Sequence, residues 1–214
     1  MTVARIDAVR RSWGIGERTK VALIVGRMLR RKGHHVAIEA VPRLKALGLR
    51  DFACVFVSED AGTRYAGELW DQVQAAGAAD VVRLAGAVED LPAAYAAAAV
   101  VVSAAVQQEG LQRALLEAQA MARPVIVSDL GAGAEVVLAP PSVGEDRITG
   151  LRFPAGDAAA LAAALVRLFS MPEAARQAIG TRGRAWVTAN FDPASVASQT
   201  LALYAEVARA RAPS

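Results

Sequence analysis

The sequence predicts an α/β fold: a Rossmann-like doubly wound parallel sheet of about six strands, with extra helices at its C-terminal end. Three observations carry that prediction. Apolar runs of strand length recur along the chain, each followed by a stretch with helical spacing, which is the alternation that βαβ units produce. Most of these runs are apolar at every position rather than at alternate ones, as strands covered by helices on both faces must be. The 214 residues, 54% of them hydrophobic, suffice for one large α/β domain or two small ones.

Residues 1–15 place Val3, Ile6, Val9 and Trp13 at roughly helical spacing and read as an amphipathic helix leading into a turn at 14–16. Strands are expected at 20–25, 52–57, 80–85, 100–103, 124–128 and 151–153, and helices between them at 34–47, 62–76, 91–98, 111–122 and 157–170. Gly62 and Gly77 punctuate the third unit, and Asp157 ahead of an alanine run supplies an N-cap oxygen. Residues 139–149, with Pro140, Pro141 and Gly144, lack periodicity and read as a surface loop. Two further helices, 172–189 and 193–210, end the chain; Phe191 marks the break, and Asp192 before Pro193 is a helix start.

Composition excludes several classes. The longest apolar stretches break short of the ~18 residues of a membrane span, and the apolar content is too high for disorder. Alanine contributes 49 residues, so the run at 93–102 owes part of its apolar character to helix-forming alanine. Residues 1–21 show no apolar signal-peptide core. Cys54 is the single cysteine, which excludes an intrachain disulfide or a cysteine-based zinc site and fits a reducing, cytoplasmic compartment. The 24 basic residues, 21 of them arginine, exceed the 21 acidic ones by only three. With scattered aromatics, that mild excess makes no nucleic-acid platform, so no nucleic-acid partner is expected.

Ligands of an open parallel sheet bind beyond the carboxyl ends of the strands. Three segments fall there. The first is VGRMLRRKG, residues 25–33. Gly26 allows close backbone approach, and Arg27 and Lys32 place a guanidinium fork and an ammonium in one loop, a clamp suited to a diphosphate; a solvated basic turn is the plainer reading. No G-x-G-x-x-G follows this strand, which argues against a nicotinamide dehydrogenase. The second is QQEGLQRALLEAQAMARPVIVSD, residues 107–129. Glu109 precedes a helix and Glu117 lies within it, at most roughly 12 Å apart at helical rise, with the anion-attracting helix N-terminus near Gly110, Leu111 and Gln112 between them. Carboxylates accept hydrogen bonds from sugar hydroxyls. Glu117 is also placed to offset Arg113 four residues earlier, although its apolar surroundings call for a partner. The third is LAGAVED, residues 84–90, where Gly86 breaks the end of a strand and leaves backbone groups free to hydrogen-bond a planar base, as any strand-to-helix loop would. His34 and His35 read as exposed polar residues at a helix start.

Together the segments VGRMLRRKG, LAGAVEDLPAAYAAAAVVVS, EGLQRALLEAQAMARPVIVSD, GAEVV and TGLRFPAGDAAALAAAL, in this order over about residues 20–204, resemble the C-terminal, donor-binding domain of retaining family-4 (group 1) glycosyltransferases of GT-B fold. The glutamates of EGLQRALLE, with seven residues between them, are the most specific sign. The resemblance implies that Arg27 and Lys32 hold the donor diphosphate and, with Glu109, form the catalytic set. Glu109 would face the transferred sugar, Gly110 to Gln112 would offer backbone donors, and Glu117 would bind ribose hydroxyls. Gly26, Gly86 and Val88 complete the expected substrate contacts. It further implies a nucleotide-sugar donor, a glycan or lipid-linked acceptor, retention of configuration, and no bound metal or cofactor. An N-terminal Rossmann-like domain would be needed in cis or trans. Residues 1–18 would be the interdomain connection, 19–190 the nucleotide-sugar-binding domain and 191–214 a C-terminal crossover helix. The chain departs from the family pattern at Gln112, where glycine is usual, at Ala99, where aspartate is usual, and at Ala104 and Ala105, in place of a proline-serine pair.

Overall fold

The computed structural model describes residues 1–60 and 62–210. Among them six strands form one parallel sheet: β1 (Lys20–Val25), β2 (Phe52–Val57), β3 (Val82–Gly86), β4 (Val100–Ser103), β5 (Val125–Ser128) and β6 (Gly150–Phe153), in the order β3-β2-β1-β4-β5-β6. β2 matches β1 residue for residue from Lys20↔Phe52 to Val25↔Val57. β4 pairs with β1 only at Ala22↔Val100 and Leu23↔Val101. The order reverses between β1 and β4, so the carboxyl ends of these two strands part and open a crevice.

Nine α-helices accompany the sheet among the described residues: α1 (Val3–Ser12), α2 (His34–Ala46), α3 (Arg64–Ala75), α4 (Leu91–Ala97), α5 (Arg113–Ala120), α6 (Gly133–Val136), α7 (Ala158–Ser170), α8 (Glu173–Asn190) and α9 (Pro193–Ala210). The continuous hydrophobicity of the strands has a direct cause. Phe52, Cys54 and Phe56 of β2 enter the core shared with α2, α3 and α7, whereas Ala53, Val55 and Val57 enter the core shared with α1 and α4. Burial pushes the Cys54 thiol up to about 12, so it packs as a small apolar group.

α3 begins at Arg64 rather than 62 and is capped by Thr63, its hydroxyl accepting from the Ala66 N–H at 3.3 Å. β3 begins at Val82 rather than 80, because Val81 and Val82 first bond back to the Ala78 carbonyl in a turn. α5 begins at Arg113 rather than 111 and stops at Ala120, two residues before the left-handed Ala122 (φ 54°). The 139–149 segment is a surface loop only in its middle: Ala139, Ile148 and Thr149 are buried, and residues 145–147 form a single 3-10 turn. α6, four residues long, is too short to show periodicity. Val9 of α1 and Trp13 just after it are buried but Val3 is exposed, and Arg5 ties the helix to α4 through both Asp90 oxygens at 2.7 and 2.8 Å.

The cap at Asp157 is as expected: its Oδ1 accepts from the Ala159 and Ala160 N–H groups, both at 2.9 Å. Asp157→Ala is expected to cost about 1 kcal/mol, read as a lower midpoint in urea unfolding with an unchanged slope.

Candidate functional site

The crevice between β1 and β4 is walled by the two loops that leave them. After Val25 the chain runs through Gly26 and Arg27 to a 3-10 turn at Arg30–Lys32, which ends at Gly33 in the left-handed region (φ 71°). A Cβ at Gly33 would lie 1.7 Å from the Ala104 carbonyl oxygen. Only glycine lets the loop after β1 touch the loop after β4, and that contact aligns the N-terminal turn of α2 with the segment leading to α5.

The result is a cleft of about 850 Å³ lined by Gly26, Arg27, Arg31, Lys32, His34 and Ser103 on one side and residues 108–114 with Glu117 on the other. Lys32 Nζ donates to Glu109 Oε2 at 2.8 Å, and Arg31 Nε stands 3.6 Å from Oε1. The Glu109 side chain is only 10% exposed. Two cations therefore hold this carboxylate in a fixed orientation, leaving the cleft positive. Arg27 is looser, with its side chain 71% exposed and Nε 3.4 Å from Asp60 Oδ2. The same Asp60 oxygen accepts the Met28 N–H at 3.1 Å, pinning the loop after β2 to the loop after β1.

Glu117 has the partner its apolar setting calls for: Tyr95 Oη donates to Oε2 at 2.9 Å, and Arg113 Nη2 lies 3.3 Å from Oε1. Burial and this bond to a carboxylate both raise the Tyr95 phenol above its usual range. Gln112 is the N-cap residue of α5 but does not cap it. Its side chain is buried, with Oε1 accepting from Ser103 Oγ and Nε2 without a partner.

A second hollow of about 360 Å³ adjoins the first through Val25, Gly26 and Arg27 and is closed by Ser58, Asp60, Val88 and Leu91. Of the site residues read from the sequence, Arg27, Lys32, Glu109, Gly26, Gly110, Leu111, Gln112 and Glu117 line the large cleft and Val88 the small one. Gly86 lines neither; it ends β3, its carbonyl accepting from the Ser58 N–H at 3.0 Å. Arg31 belongs to the basic cluster of the loop after β1, whereas nothing in the sequence marks His34, Asp60, Tyr95 or Ser103 as site residues. Among the described residues no group of three His, Cys, Asp or Glu side chains is placed to hold a metal ion.

His34 overturns its expected exposure. It is fully buried, edge-on to Phe56 at 5.2 Å, and neither ring nitrogen has a partner. Helix α2 faces the sheet from its first residue, so its first side chain goes inward. Burial, then the charges of His35 and Lys32, lower its pKa to about 4. The unfolded imidazole titrates near 6.5, so between those values the unfolded chain binds more protons. Stability is expected to be full above pH 6.5 and to fall, by up to about 3 kcal/mol, as the pH drops toward 4. Urea unfolding across that range should show a shallower dependence in His34→Leu; equal slopes would contradict the assignment.

Sheet order, switch-point crevice and paired loops define a Rossmann-like domain of the kind found in GT-B proteins. The family model described as "Glycosyl transferases group 1" matches residues 19–171, and the chain belongs to this family. No curated protein matches the sequence. Among solved structures, the chain is similar to a glycosyltransferase from Rickettsia africae (TM-score 0.85, 23% identity, 97% of this chain and 52% of that one). It is also similar to Anabaena HepE in complex with UDP and glucose (TM-score 0.80, 20% identity, 96% and 53%). A third is the C-terminal domain of a group 1 glycosyltransferase, LpcC, from Francisella tularensis (TM-score 0.67, 24% identity, 86% and 93%). The chain thus spans about half the length of the first two proteins and nearly all of the isolated C-terminal domain.

Proposed function

We propose that this chain is the donor-binding half of a retaining hexosyltransferase that takes a nucleotide-diphosphate sugar and transfers the hexose to a glycan or lipid acceptor without a metal ion. The observation that carries the reading is the Lys32–Glu109 pair, which sets a cation beside a fixed carboxylate at the switch point of the sheet. The UDP and glucose in the Anabaena structure are of the same chemical class. In this reading the diphosphate lies between Arg27, Lys32 and the N-terminal end of α5, with Gly26 and the amides of Gly110, Leu111 and Gln112 close to it. As the glycosidic bond breaks, negative charge grows on the departing phosphate oxygen, and the two cations stabilise it where it forms. Glu109 accepts from hydroxyls of the transferred sugar, Glu117 from ribose hydroxyls, and the backbone at Val88, in the small hollow, meets the base. The acceptor attacks from the face the diphosphate leaves, so no side-chain nucleophile takes part.

The reading includes the division at residues 18 and 190, an N-terminal Rossmann-like partner in cis or trans, and a cytoplasmic setting in bacterial lipopolysaccharide or polysaccharide synthesis, reaching the inner membrane through that partner. A second reading, a non-catalytic nucleotide-sugar-binding or regulatory module, is favoured by the Gln112 side chain, which occupies space where glycine is usual. Joining the chain to the N-terminal half and assaying transfer from UDP-, GDP- and ADP-sugars separates the two. Product with retained anomeric configuration supports the enzyme; donor binding without transfer in the joined protein contradicts it and leaves the module.

A further inference from the structure

The opposite end of the sheet holds a second basic site. At the amino ends of β1, β4 and β5 a cavity of about 430 Å³ opens between Lys20, Ala98, Ala99 and Pro124. Five cations from different parts of the chain line it: Arg10 of α1, Arg18, Lys20, Arg123 and Arg176 of α8. Its only lining carboxylates among the described residues are Glu17 and Glu173, so its excess of positive charge equals that of the whole chain.

None of the five cations has a carboxylate within ion-pairing distance among the described residues, although nine ion pairs form elsewhere. Glu173 instead accepts from Gln177 Nε2 at 2.9 Å. Four of the five touch carbonyls at helix ends: Arg10 reaches Ala97 at 3.0 Å, Arg123 reaches Ala98 and Met121, both at 3.3 Å, Lys20 reaches Phe169 at 2.7 Å, and Arg176 reaches Met171 at 3.3 Å. Arg10 is held further by the loop carbonyls of Gly16, Glu17 and Thr19. The C-termini of α4, α5 and α7 converge here, and their partial negative charge accounts for the presence of cations.

It does not account for all their donors. The ammonium of Lys20 and the guanidinium of Arg176 each spend one contact on a carbonyl. The Arg123 guanidinium is lowered from its ordinary value by burial and next by the charge of Arg176, so the two repel each other across the cavity. A multiply charged oxyanion is the ligand that meets spare N–H groups, relieves repulsion and fits between alanine walls.

We infer that this cavity is a phosphoryl-anion site, distinct from the donor cleft, in which Lys20, Arg123 and Arg176 bind a phosphate dianion or phosphate monoester. The six residues of β1 separate the two sites by roughly 20 Å, so one ligand does not occupy both. The anion is either a free phosphate compound or the headgroup phosphate of an acidic lipid.

The test is a titration of the ¹⁵N-labelled chain with inorganic phosphate at constant ionic strength, followed at the amides of Lys20, Ala98, Arg123 and Arg176. Saturable shifts are expected at these residues, weakened at least about tenfold by Arg123→Gln or Arg176→Gln and unchanged by Arg27→Ala. Arg176 lies on the outer helix α8, so its variant keeps the test valid if Arg123→Gln fails to fold. Sedimentation with phosphatidylcholine vesicles, with and without phosphatidylglycerol, identifies the source. Arg176-dependent binding only to the acidic vesicles assigns a headgroup, and saturation by phosphate without vesicle binding assigns a free anion. Non-saturating shifts that chloride reproduces, or an Arg176→Gln titration identical to the parent, overturn the site.

Discussion

Nucleoside-diphosphate binding is expected to fall roughly a thousandfold when Arg27 and Lys32 are both replaced by alanine. Each supplies a charge-assisted hydrogen bond to phosphate worth about 1.5–3 kcal/mol, and 1.4 kcal/mol is a factor of ten in affinity. The fold should survive. Arg27 is largely exposed and its contact with Asp60 is long, so that pair contributes little to stability. Lys32 costs more, because its loss leaves the nearly buried Glu109 with Arg31 alone, at 3.6 Å. Calorimetric titration beside thermal unfolding reads both quantities. A folded double variant that keeps the parent affinity would remove the diphosphate from this cleft.

Gly33→Ala is expected to do the larger damage to the fold. An alanine there carries left-handed strain of about 1 kcal/mol and drives its Cβ into the Ala104 carbonyl, a backbone atom with little freedom to move, for about 2 kcal/mol more. At roughly 2–4 °C per kcal/mol for a chain of this size, the unfolding midpoint should drop by about 6–12 °C. The displacement also separates Lys32 from Glu109, so binding and stability fall together. A variant as stable as the parent would show that the two loops do not need this contact.

Much of the architecture is legible because its causes are local. Strand runs apolar at every position demand helices on both faces, and Asp157 announces α7 by the residue that caps it. Glu109, Arg27 and Lys32 are visible for the same reason: each follows a strand that ends at the sheet's carboxyl edge. What escapes the sequence is pairing across that edge. Asp60 reaches Arg27 and Met28 only because β2 lies beside β1, and Tyr95 reaches Glu117 only because α4 and α5 share one face. Nothing in residues 34 and 35 distinguishes an inward imidazole from an outward one. That depends on the angle at which α2 leaves Gly33, which the contact with Ala104 sets. The two-residue error at the start of α5 has a similar origin, since residues 109–112 belong to the cleft wall rather than to a helical turn.

The central claim, that the cleft between the loops after β1 and β4 takes a nucleotide-diphosphate sugar, is tested most directly by residue-resolved titration. The ¹⁵N-labelled chain would be titrated with UDP-, GDP- and ADP-glucose. At least one donor should shift the amides of Gly26, Lys32 and Glu109 to Gln112 saturably, with the response lost in the Arg27, Lys32 double-alanine variant. No saturable shift at these amides with any of the three at millimolar concentration would contradict it.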